Sequence, residues 1–94
     1  MFDIMLQEEG SVVLKGRLDA SQVDKAESVL GSMNESLIAD LSGLDYISSA
    51  GIGTFVRTYQ RLASSGHTLK LINLNPHVKN VFHYAGLEKI FGIE

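Results

Sequence analysis

Two short stretches near the start of the chain, MFDIML and SVVLKGRL, read as extended, and the QEEG between them ends in a glycine suited to a hairpin turn. Two antiparallel strands are predicted. After Gly16 the spacing changes: Ala20, Val23, Ala26, Val29, Leu30 and Met33 recur every three or four residues, which places them on one helical face. Asp19 or Ser21 can cap this helix, and Asp24 and Glu27 suit the positive end of its dipole. Gly31 to Ser36 breaks it, and SLIADL reads as a short strand buried on both faces. Ile52, Phe55, Val56, Tyr59, Leu62 and Ala63 then mark a second helix, ended by Ser64-Ser65-Gly66. TLKLINL alternates as a strand, with Leu69, Leu71 and Asn73 on one side. Asn75-Pro76 opens a third helix whose buried face is Val78, Val81, Phe82 and Ala85, and Leu87, Ile90 and Phe91 in the tail close the core. The order strand, strand, helix, strand, helix, strand, helix predicts one α/β domain over residues 1–94. After the first hairpin its sheet should be mostly parallel, with right-handed crossovers.

Between the third strand and the second helix stands DYISSAGIG, residues 45–53. Functional groups in open α/β sheets gather outside the carboxyl ends of strands. Ser48 or Ser49 can cap the helix by accepting from first-turn N–H groups. Glycine in a helix costs about 1 kcal/mol relative to alanine, so Gly51 and Gly53 need a reason. Two readings stand: tight packing of the helix on its own sheet, or a first turn left bare so that a partner or nucleotide can reach the serine.

Composition narrows the classes. Ninety-four residues at 45% hydrophobic and 20% charged, with one proline, describe an ordinary globular domain. Without cysteine there is no disulfide framework, thiolate metal site or cysteine nucleophile, and a reducing, cytoplasmic setting is expected. MFDIMLQEEG does not read as a secretory signal, and no apolar run approaches the ~18 residues of a membrane span. The net charge is −3 and the eight basic residues are scattered, which argues against nucleic acid as a partner.

Catalytic patterns are weak. Gly51-Ile52-Gly53 begins like a dinucleotide fingerprint, but Val56 stands where the third glycine belongs. A hydrolase elbow around Ser49 would need glycine at 47, which is Ile47. His67, His77 and His83 have surface or loop explanations, and His77 and His83 are six apart, which does not put two metal ligands on one helical face. No metal, cofactor or catalytic group is therefore assigned, and a non-enzymatic role is expected.

Residues 40–53, DLSGLDYISSAGIG, resemble the signature of STAS domains, the family shared by bacterial anti-sigma factor antagonists and sulphate-transporter tails. Gly16-Arg17-Leu18-Asp19 is similar to the Gly-x-Leu/Ile-Asp that precedes the first helix in that family, and the element order agrees along the whole chain. The resemblance implies a mixed, mostly parallel sheet with helices packed on one face. It also implies a switch. The phosphoacceptor falls on Ser49, and the unphosphorylated domain binds an anti-sigma factor that is also a serine kinase of the histidine-kinase-like ATPase type, freeing a sigma factor until phosphorylation ends the binding. A serine phosphatase would reset it. Ser48 stands where the family usually has Asp, which makes it a second candidate acceptor.

Partner contacts are expected from Asp19 and Ala20, from Ser48, Ala50, Gly51 and Gly53 around the acceptor, and from Thr54, Arg57 and Thr58 as an exposed outer face of the second helix. The alternative role is a small accessory subunit of an ABC-type lipid or anion transporter, with the same helix as a constitutive contact. An enzyme using Ser49 as a nucleophile is a third possibility.

Overall fold

A computed structural model describes residues 1–93. Strands β1 (Phe2–Glu8) and β2 (Ser11–Leu18) form the hairpin, turning at Gly10 with φ +79°. A 3-10 turn (Ala20–Gln22) leads into α1 (Val23–Leu30), followed by β3 (Leu37–Ile47), α2 (Ser49–Ala63), β4 (Leu69–Ile72) and α3 (Pro76–Tyr84). β3 lies parallel to β2 and β4 parallel to β3, giving the sheet order β1-β2-β3-β4.

The helices cover one face of this sheet. Val12, Leu14 and Leu18 of β2, Leu37, Ala39, Leu41, Leu44 and Ile47 of β3, and Leu69 and Leu71 of β4 are buried beneath them. Between them Lys15, Arg17, Ile38, Ser42, Asp45 and Lys70 are exposed. On that open face the Arg17 guanidinium sits 4.2 Å from the centre of the Tyr46 ring, its partner on β3. Phe55, Phe82 and Phe91 pack in series against the covered face, with ring centres 6.1 and 5.6 Å apart. Burying a side chain of this kind is worth about 1.5–3 kcal/mol, so these three bind two helices and the tail to one core.

Three expectations about the elements are corrected. The third strand is not a six-residue strand buried on both faces but an eleven-residue strand buried on one. Its register against β2 shifts between Val13 and Lys15 and again between Gly16 and Arg17, and these irregularities keep Leu41, Leu44 and Ile47 on the core side at a spacing of three. A spacing of three reads as no strand at all. Asn73 does not continue β4: its φ of +60° turns the chain, and its amide donates to Asp40 at 3.3 Å. Ala63, the last residue of α2, is exposed, and so are Ala85 and Ile90, because α3 ends at Tyr84 and the tail returns through Leu87 and Phe91 instead. The third helix does begin at Pro76. Asn75 caps it by accepting from Val78 N–H at 2.9 Å, and its own amide donates to the Leu44 carbonyl.

Candidate functional site

The two segments singled out by the sequence meet at one point. Gly16 is buried with φ +89°, and a Cβ there would fall 2.0 Å from the Met1 carbonyl oxygen, which accepts from Arg17 N–H at 2.7 Å. Only glycine fits that backbone. The irregularity carries Leu18 to the end of the sheet, where its carbonyl accepts from Ser48 N–H at 2.9 Å. The Asp19 loop is thus tied to the start of α2.

At that start the two serines have different tasks. Ser48 is the N-cap, extended at φ −91° and ψ 171°, and its half-buried hydroxyl oxygen accepts from Gly51 N–H at 3.2 Å. Ser49 is the first residue of the helix and is exposed. Its hydroxyl therefore stands at the positive end of a 15-residue helix, beside first-turn N–H groups that an α-helix leaves without intrahelical partners.

Asp19 accepts from Ser21 N–H at 3.0 Å and from the Ser21 hydroxyl, capping the 3-10 turn rather than α1. The Ser21 hydroxyl, against an opposing desolvation and helped by that backbone N–H and by the Arg17 charge, holds the Asp19 carboxyl below its ordinary range. Ala20 is exposed at the beginning of the turn, which packs against α2.

The glycines resolve differently from one another. Gly51 is buried, and a Cβ there would lie 2.9 Å from the Leu18 carbonyl oxygen, Leu18 Cγ and Ile47 Cγ1. It lets the helix seat on the strand ends and offers nothing to a partner, which corrects the expectation of a bare contact there. Gly53 is half-buried beneath the Arg57 guanidinium, whose Nη1 would be 3.0 Å from an added Cβ. Arg57 crosses it to reach Glu27 on α1, with Nε 2.9 Å from Oε2.

Thr54 and Thr58 are also corrected. They are 0% and 6% exposed and do not belong to an outer face. Thr58 donates to the Thr54 carbonyl at 2.8 Å, and the Thr54 hydroxyl has the Ala50 carbonyl and Glu27 within 3.4 Å. Threonine that bonds its own helix i−4 presents only its methyl to the core. Of the expected contacts, Asp19, Ala20, Ser48, Ala50, Gly53 and Arg57 keep some exposure, as does the expected acceptor Ser49. Sequence reasoning gave no role to the Leu18 carbonyl, toward which only the Gly-Arg-Leu-Asp motif pointed, and it placed Glu27 near the positive end of the first helix without its contact to Arg57.

The histidines are engaged locally or exposed: His83 meets Glu88 at 2.7 Å, His67 lies 3.4 Å from the Ser36 hydroxyl, and His77 is on the surface. No helix among the described residues is long and apolar enough to cross a membrane.

Comparison with known proteins agrees with this geometry. The family described as "Mlab, STAS domain" matches residues 4–93. BtrV of Bordetella bronchiseptica, named as an anti-sigma factor antagonist, is 38% identical over 74 residues, 79% of this chain but 58% of that protein, so the chain spans little more than half its length. Among solved structures, an anti-sigma factor antagonist from Mycobacterium paratuberculosis superposes with a TM-score of 0.83 at 21% identity, covering 99% of this chain and 85% of the other. The Bacillus cell fate determinant SpoIIAA in its phosphorylated form gives 0.72, also at 21%, covering 96% and 87%. At that identity the two structures establish the fold alone. With the family match running almost end to end and a relative named as an antagonist, this chain belongs to the STAS domain family, in the company of the bacterial anti-sigma factor antagonists.

Proposed function

We propose that this domain acts in the cytoplasm as an anti-sigma factor antagonist, a non-enzymatic binding module whose affinity for its partner is ended by phosphorylation of Ser49. The partner is an anti-sigma factor that is also a serine kinase of the histidine-kinase-like ATPase type, and a serine phosphatase returns the domain to its binding form. One observation carries this reading: Ser48 does the capping, which leaves the neighbouring Ser49 hydroxyl exposed at the helix N-terminus.

The energetics explain why such a modification acts as a switch. A phosphoserine brings about −1.5 to −2 charges at neutral pH. At a helix N-terminus that charge is favoured by roughly 0.3–1 kcal/mol, so the domain itself tolerates it. A docked protein surface that buries the same anion without an Arg or Lys to match loses several kcal/mol. The switch therefore breaks the complex and spares the fold. A protein of the same fold, SpoIIAA, exists in a phosphorylated form, so the fold is compatible with such a modification.

The contact surface is the exposed part of the junction: Asp19, Ala20, Ser49, the accessible edge of Ala50, and Arg57 about two turns further along α2. The test is mass spectrometry of protein isolated from its native cell. Phosphate should be found on Ser49, should disappear in Ser49→Ala, and should persist in Ser48→Ala. Phosphate on Ser48 alone, or on neither serine while the native partner is bound and active, would overturn the proposal.

A further inference from the structure

An open sheet has two edges, and each presents a row of backbone groups able to pair with another chain. The β4 edge is covered by the chain's own tail, where Leu71 N–H donates to the Phe91 carbonyl at 3.1 Å. Among the described residues the β1 edge has no such cover, and it is treated with side chains. Because the Met1 carbonyl accepts from Arg17 N–H, the odd-numbered residues at the start of β1 turn their backbone groups toward β2, and Phe2, Ile4 and Leu6 turn theirs outward. Two of those outward groups are occupied. Lys25 reaches from α1 to donate to the Phe2 carbonyl at 2.9 Å, and the Asp3 carboxylate accepts from Ile4 N–H at 3.0 Å. The two side chains also face each other at 3.7 Å.

We infer that Lys25 and Asp3 form a guard on the edge of β1 that keeps two copies of this chain from joining their sheets, and that this edge is a strand-addition site for a second copy once the guard is removed. The occupant follows from the strand itself. An antiparallel pair of β1 strands centred on Met5 sets Ile4 opposite Leu6 of the second copy, and each needs the other's outward N–H and carbonyl. Asp3 holds one of those N–H groups. The same pairing would cover Leu6, 63% exposed, and bring together two Met5 side chains, 43% exposed on the open face. Past Leu6 the register shift before Glu8 bends the strand, so the pairing centres on the stretch that the guard protects.

This inference is independent of the switch at Ser49. Its test is light scattering of the full chain on gel filtration across a range of concentrations. The unmodified protein should run as a 10.3 kDa monomer, and Asp3→Ala/Lys25→Ala, both at exposed side chains, should double in mass as concentration rises. Adding Leu6→Pro should return that variant to the monomer, since the lost N–H points away from β2. A double variant that stays monomeric throughout, or a dimer that survives Leu6→Pro, overturns the inference. So does an unmodified protein that already dimerises through β1. Amide exchange gives a second reading in the unmodified chain: Ile4 N–H, held by Asp3, should exchange more slowly than Leu6 N–H, and equal rates would remove the guard.

Discussion

The Leu18 carbonyl accepts the Ser48 amide at 2.9 Å, and this one bond sets the loop before the first helix beside the first turn of the second. It joins the chain's two recognisable motifs, residues 16–19 and 40–53, into a single surface with Ser49 exposed in it. Several consequences of that junction can be measured.

Charge at Ser49 should separate binding from folding. Ser49→Asp should melt within a degree or two of the unmodified domain, because an anion at a helix N-terminus is mildly favourable, yet lose binding to the anti-sigma factor in calorimetry. Ser49→Ala should keep binding and lose phosphorylation. A Ser49→Asp domain that unfolds would show the serine to be structural.

The neighbouring serine should show the reverse pattern. Ser48→Ala removes the acceptor of the Gly51 N–H and should cost about 1 kcal/mol. For a domain of this length that lowers the melting temperature by roughly 4–8 °C. Equal melting temperatures for Ser48→Ala and Ser49→Ala would contradict the division of labour between the two hydroxyls.

Two glycines in one helix should respond with opposite signs. At Gly51 a methyl group meets the Leu18 backbone and the Ile47 side chain at 2.9 Å, so Gly51→Ala should destabilise by about 1–3 kcal/mol, outweighing the gain in helix propensity. At Gly53 the obstacle is the end of the flexible Arg57 side chain, which can shift. Gly53→Ala should therefore be neutral or stabilising by up to about 1 kcal/mol. Denaturant melts of the pair decide it.

The Asp19 carboxyl should titrate below its ordinary value of about 3.9, because Ser21 binds the charged form. A carboxyl whose folded pKa is depressed contributes its stability above the unfolded pKa and loses it as pH falls through the folded one. Any effect of this group thus belongs to the acid side, and Asp19 stays charged at neutral pH, when a partner would meet it. NMR titration should find the midpoint moved back up in Ser21→Ala, with the backbone N–H of residue 21 retaining part of the shift.

Much of this protein could be read along the chain because the responsible signals are local. Two short extended stretches parted by a glycine-ended QEEG marked the first hairpin, a spacing of three and four marked the helices, and Asn75-Pro76 marked the third helix start, where the cap and the proline lie next to each other. Paired serines before a helix announced a capped N-terminus, although which serine caps depends on backbone angles that residue type does not specify. The full length of β3 was hidden because its register shifts break the alternation on which strand reading depends.

The tertiary structure alone decided what the other positions face. Thr54 and Thr58 count as polar by residue type, yet hydroxyls bonded within their own helix let them enter the core. Gly51 is fixed by a contact with Leu18, thirty-three residues earlier, and the β1 edge by Lys25 from a helix two elements away. Periodicity describes how a segment divides between apolar and polar sides. Which neighbour comes to meet each side depends on distant parts of the chain arriving together, so those assignments exist only once the sheet and helices have packed.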